Sequence, residues 1–156
     1  MASGRIYRVP FKQVAVSAVQ DLISVQSTSG MAFEVHEVVI GQITASTIGN
    51  LPISMKRVSG AYTIGSGGNT STPVKVNSGD VAATVTGRIN DTTQTSGGTS
   101  TVLKPDVFNV LNGYIWLPAP ENRDVIAPGQ AWVLSLDAAP GSSQTMSGYV
   151  TIKELF

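Results

Sequence analysis

Short runs of Val, Ile, Thr and aromatic residues recur along this chain between clusters of Gly, Pro, Asn and Ser, and no apolar stripe repeats with a helical period. That pattern constrains the fold more than any single motif, because short β-branched and aromatic runs between turn clusters are the signature of a sandwich or barrel. The reading is an all-β, two-sheet antiparallel sandwich with a jelly-roll-like topology. Its 156 residues suit one core, so we divide the chain into residues 1–10, an N-terminal arm or edge strand, and a single β-sandwich domain over 11–156.

Several strands are legible. Val14 to Ala18 alternates, and Gln20-Asp21 interrupts before Leu22-Ile23-Ser24-Val25, which suggests two strands meeting at a corner. From Ala32 to Gln42, Phe33 and Val35 share one face and Glu34 and His36 the other, until the phase slips around Glu37. Either a bulge re-aims that strand or its second half is covered on both sides. Leu51, Ile53 and Met55 share a face, as do Trp132, Leu134 and Leu136, while Met146, Val150 and Ile152 point inward from the last strand. Tyr62-Thr63-Ile64 is a short strand and another lies around Ala82 to Arg88; Gly65 to Pro73 and Asn90 to Thr99 read as long flexible loops.

Asn112-Gly113 suits a two-residue type I′ hairpin between Val107–Leu111 and Tyr114–Leu117. That register puts Phe108, Val110, Ile115 and Leu117 on a core face and Asn109, Leu111, Tyr114 and Trp116 on the other. The second face is too apolar for a plain solvent face. It reads as a subunit interface, as internal core, or as a platform on which Tyr114 and Trp116 stack against sugar rings.

The chemical inventory is narrow. There is no cysteine and one histidine, so disulfides, thiolate metal sites and cysteine nucleophiles are excluded. Ten basic residues balance ten acidic ones and 13% of the chain is charged, without the positive field that nucleic-acid binding uses. No apolar run approaches the roughly 18 residues of a membrane span, and the first residues lack the apolar stretch of a secretory signal, so a soluble protein retained in the cell that makes it is expected. Gly65-Ser66-Gly67-Gly68 is not followed by the Gly-Lys-Ser/Thr of a phosphate-binding loop. His36 could ligate a metal with Glu34, but two ligands fall short of a closed set, and it reads as a surface or interface histidine. No catalytic residue, metal or cofactor is expected, and the chain is read as a non-enzyme.

Glu121-Asn122-Arg123-Asp124 concentrates charge directly after Trp116-Leu117-Pro118-Ala119-Pro120. It is either a salt-bridged contact to a neighbouring subunit or a solvated turn capping the sandwich. The interface candidates are therefore Leu111, Tyr114, Trp116, Glu121 and Arg123. At the N-terminus, Arg5, Ile6, Tyr7 and Arg8 are candidates for an arm that orders against a neighbour, the alternative being the start of an edge strand.

A wider set of motifs carries a family resemblance. Gln20-Asp21-Leu22, Val35 to Gln42, Gly65 to Gly68 reaching Thr72-Pro73-Val74, Gly79-Asp80 and Ala82-Ala83 make its first half. Thr95 to Thr99, Phe108-Asn109-Val110, Trp116 to Glu121, Ile126 to Gly129 and Met146-Ser147-Gly148 make the second. Together they resemble small proteins encoded by tailed bacteriophages and prophages, associated with virion structure and in particular with capsid decoration or cement. The resemblance spans nearly the whole chain and implies a jelly-roll-like sandwich that forms a homotrimer on the capsid surface, after synthesis in the host cytoplasm, and bridges major capsid protein subunits. It implies no catalytic residue. A carbohydrate- or receptor-binding module of a phage tail or fibre is the alternative, with Trp116, Tyr114 or Tyr149 as the sugar platform.

Overall fold

The computed structural model describes residues 4–28, 30–44 and 49–155. Its strands are β1 (Ile6–Val16), β2 (Gln20–Gln26), β3 (Phe33–Gln42), β4 (Asn50–Thr63), β5 (Asn69–Thr70), β6 (Val74–Lys75), β7 (Thr86–Asp91), β8 (Ser96–Asn109), β9 (Tyr114–Trp116), β10 (Val125–Ile126), β11 (Ala131–Leu136) and β12 (Gln144–Glu154). One 3₁₀ turn, Pro120–Asn122, separates β9 from β10. The first sheet has the order β10-β3-β12-β1-β6, with β9 also on β3; the second has the order β5-β7-β2-β11-β4-β8. The order β1-β12-β3-β9/β10 against β2-β11-β4-β8 is that of a jelly roll, in which the chain alternates between sheets.

Alternation builds the core between the sheets. Val9, Phe33, Val35, Met146, Val150 and Ile152 from the first sheet meet Leu51, Ile53, Met55, Trp132, Leu134 and Leu136 from the second in one buried cluster. The phase slip in β3 is a bulge: Thr151 pairs with Glu37 and the next residue, Ile152, with Val35, leaving His36 as the extra residue. Phe33 and Val35 before it and Val38 and Ile40 after it can therefore all point inward.

In the second sheet β2 and β11 are buried on both faces. Val58, Ala131 and Val133 form a small second core on the outer side, covered by Tyr62 and Ile64. Tyr62-Thr63 is the end of β4 and not a separate strand, and the strand expected from Ala82 begins only at Thr86.

The segment between β4 and β8 is an insertion that crosses the end of the sandwich. It pairs with β2 through β7 and with β1 through β6, so it ties the two sheets together along one side. The Gly65–Pro73 loop is not free, contrary to the reading from composition. Ser66 and Thr93 exchange backbone hydrogen bonds of 3.0 and 2.9 Å. The Gly65 and Gly68 amides donate to Thr95 Oγ1 and Asp91 Oδ1, each at 3.1 Å. The second polar tract is held as well, since Thr95 N donates to the buried Asp21 carboxylate at 2.7 Å. Gly68 is glycine because of close approach: a Cβ there would lie 2.1 Å from Ile89 O and 2.5 Å from Asn90 C. Gly68→Ala is expected to cost about 1–3 kcal/mol, as other overpacked sites do. A denaturant midpoint equal to that of the parent would contradict this packing.

The N-terminal residues are not an arm in this structure. Ile6, Tyr7 and Arg8 belong to β1, paired with β12 on one side, and Tyr7 and Arg8 pair with β6 on the other. Tyr7 is fully buried and its hydroxyl donates to Val81 O at 3.0 Å. Arg5 O accepts from Glu154 N at 2.9 Å. The arm expectation is thus corrected to a strand over Ile6–Val16, and residues 1–3 lie outside the described set.

Candidate interaction surface

The hairpin expected at Asn112-Gly113 does not form. β8 pairs with β4 in the second sheet, whereas β9 crosses over and pairs with β3 in the first. Asn112 N donates to Asn109 O at 3.1 Å and Leu111 N to Asn109 Oδ1 at 2.9 Å, so the turn closes over Asn109. Gly113 has a positive φ of 71° and Asn112 does not, which is incompatible with type I′ geometry.

Partner choice decides which side chains face out. Tyr114 pairs with Ile40, Ile115 with Val39 and Trp116 with Val38. Since Ile40 and Val38 face the core, Tyr114 and Trp116 do too, and Ile115 and Leu117 turn outward. Phe108 and Val110 are buried and Leu111 is exposed, as expected, but the faces of Tyr114 to Leu117 are the reverse of the expected ones, because β9 takes its alternation from β3 in the other sheet and not from β8. Tyr114 is buried, its ring centroid 6.0 Å from that of Phe108, and its hydroxyl donates to Asp106 Oδ2 at 2.9 Å. Burial, with the Asp106 carboxylate beside it, pushes the phenol well above its ordinary pKa. Lys104 donates to the same carboxyl at 2.5 Å and holds Asp106 below the usual carboxylate range, helped by the Val107 amide and Tyr114. Trp116 is half-buried against the core. These two rings anchor β9 from below.

Above them lies an apolar rim. Ile115 is 73% exposed and Leu117 71%, with Leu111 at 46% and Val125 in β10 at 49%. These side chains are spread along one edge of the first sheet, where Ile115 pairs with Val39 and Val125 with Glu34, five positions apart on β3. Ile115 also begins a row in register across that sheet's outer face, through Val39 and Tyr149 to Pro10. The Arg8 guanidinium carbon sits 4.9 Å from the centre of the Tyr149 ring.

The charged stretch divides. Glu121 is exposed on the 3₁₀ turn. Arg123 is half-buried and folds back, its Nη1 3.9 Å from Glu34 Oε2. Asp124 accepts from Trp132 Nε1 at 3.0 Å, and burial raises its pKa despite that bond. Of the interface candidates, Leu111 and Glu121 therefore stand on the surface, Arg123 partly so, and Tyr114 and Trp116 point inward. Ile115 and Leu117, expected on the core face, stand on the surface instead, because they alternate with the inward-facing aromatics.

His36, the bulged residue, lies 3.1 Å from Glu34 Oε2. Desolvation lowers its pKa below 6.5, with Arg123 and Lys153 acting in the same sense and Glu34 opposing them. The unfolded chain then protonates before the folded one as pH falls. Stability should decline as pH drops below about 6.5, the ordinary histidine value, and reach its floor below the folded pKa. His36→Asn should flatten that slope between pH 7 and 5; an unaltered slope would contradict the assignment. Among the described residues no group of three or more His, Cys, Asp or Glu side chains is placed to hold a metal ion.

Opposite the rim, the insertion borders a cleft of about 290 Å³ lined by Pro73, Lys75, Ala82, Ala83 and Val85, among others. A smaller one, about 150 Å³, lies beside Gly4, Ile6 and Asp80. No protein-family model, curated protein or solved structure matches the chain.

Proposed function

We propose that this chain is a structural protein of a tailed-phage particle, a homotrimeric decoration or cement protein that sits on the capsid surface and bridges major capsid protein subunits. The observation that carries the reading is the apolar rim of Leu111, Ile115, Leu117 and Val125. Large exposed apolar patches mark surfaces that another molecule covers. Such a protein acts by adding buried area at joints between capsomers, and no turnover is required. The sequence resemblance supplies the particle; the rim supplies the contact through which copies of the chain join on its surface.

The carbohydrate-binding alternative loses its platform. Tyr114 and Trp116 face the core, and the Arg8 guanidinium lies over the Tyr149 ring. The test of the capsid assignment is to add the purified chain to heads of its own phage that lack it. Saturable co-sedimentation is expected, and Ile115→Asp with Leu117→Asp should abolish it. Failure of the parent chain to bind such heads would overturn the assignment.

A further inference from the structure

The rim and the 290 Å³ cleft lie on opposite sides of the molecule. β9 and β10 form one edge of the first sheet, and β6, which contributes Lys75 to the cleft, forms the other. The two surfaces are complementary in kind. Leu117 projects from the rim, while Pro73, Ala82, Ala83 and Val85 offer apolar walls. An engineered apolar cavity of about 150 Å³ accepts a benzene molecule, so the cleft has room for a leucine side chain. They also match in charge, because Glu121 is exposed four residues after Leu117 and Lys75 is exposed at the cleft.

We infer that the rim of one copy seats in the cleft of a second copy, with Leu117 entering between Pro73 and Ala82 and Glu121 meeting Lys75. This rests on the proposed self-association and specifies its form. A contact between unlike edges is head-to-tail: every copy gives one rim and one cleft, and the contacts close into a ring when the rotation between copies is a third of a turn, as the proposed trimer requires, whereas another rotation gives an open filament. A rim-to-rim contact about a twofold axis would stop at a dimer and leave both clefts empty.

The experiment compares light scattering of the parent, a rim variant Leu117→Asp, a cleft variant Ala82→Arg, and an equimolar mixture of the two variants. Both substitutions are at exposed positions, and circular dichroism checks that each variant is folded. Each variant alone should be monomeric at concentrations where the parent is assembled. The mixture should form a dimer of twice the chain mass, because the Leu117→Asp copy keeps its cleft and the Ala82→Arg copy keeps its rim. An Ala82→Arg variant that assembles like the parent, or a mixture that stays monomeric up to a hundredfold above the parent's midpoint, would overturn the head-to-tail contact. Self-association itself would be unaffected by that result, whereas a monomeric parent would remove both. Should Ala82→Arg not fold, the charge exchange decides: Lys75→Glu and Glu121→Lys should each weaken assembly at least about tenfold, and the double variant should restore it. A double variant no better than the singles overturns the pairing.

Discussion

Replacing Glu154 by alanine is expected to destabilise the protein by about 2–5 kcal/mol, because the buried amides it leaves without an acceptor cost about 1–3 kcal/mol each. Glu154 ends β12 and is fully buried. Its Oε1 accepts from Thr84 N at 2.6 Å, Thr84 Oγ1 at 2.8 Å and Val85 N at 3.2 Å. One carboxyl oxygen therefore pins the insertion where Val85 enters the core. Alanine removes the acceptor that both amides use and leaves a void among buried groups. At roughly 2–4 °C per kcal/mol for a chain of this size, the melting temperature should fall by about 10 °C. Glu154→Gln retains an acceptor at Oε1 and should lose less. Protease cleavage between residues 76 and 84 should accelerate in the alanine variant, since this acceptor holds the segment's end to β12. A destabilisation under about 1 kcal/mol would show that other contacts hold the insertion.

The second large effect concerns association. Ile115→Asp combined with Leu117→Asp is expected to raise the dissociation midpoint of the homo-oligomer by at least about a hundredfold. Interface anchors cost about 2 kcal/mol or more each on truncation, and 1.4 kcal/mol is a factor of ten. Both side chains are more than two-thirds exposed in the single chain, so the folding cost should stay near the ±0.5 kcal/mol of ordinary surface changes. Trp116→Ala should behave in the opposite way. Its ring packs on the core, so folding stability should suffer before association does. Intact thermal stability with lost assembly in the aspartate pair, against lowered stability in Trp116→Ala, distinguishes the outward from the inward face of β9.

Strands with one face on the core were legible in the sequence because alternation reports that asymmetry directly. Leu51, Ile53 and Met55, and Met146, Val150 and Ile152, are buried as their spacing indicated. β2 and β11 carry no such asymmetry: residues 131–136 are buried throughout, and what covers Ala131 and Val133 is Tyr62 and Ile64, about seventy residues earlier in the chain. The reversal at β9 has a different origin. Asn-Gly is compatible with a hairpin and with a turn that leads to the other sheet, and the choice depends on the free edge of β3, which no local pattern encodes. Gly65 to Gly68 misled because flexibility and close approach call for the same residue. Gly68 is there to let Ile89 O and Asn90 come near, not to let the loop move. The sequence leaves the N-terminal segment open between an arm and an edge strand because its partners, β12 and β6, are distant in sequence. Of the candidate surface, Leu111 and Glu121 were read as outward from the sequence, whereas Ile115 and Leu117 required the strand pairing.

The most direct measurement is the mass in solution of the purified chain by light scattering or sedimentation equilibrium, from nanomolar to about 100 µM. An apolar rim that serves association predicts a reversible trimer, which Ile115→Asp with Leu117→Asp converts to a folded monomer. A parent chain that stays monomeric over the whole range, or an aspartate pair that assembles as well as the parent, would contradict the account.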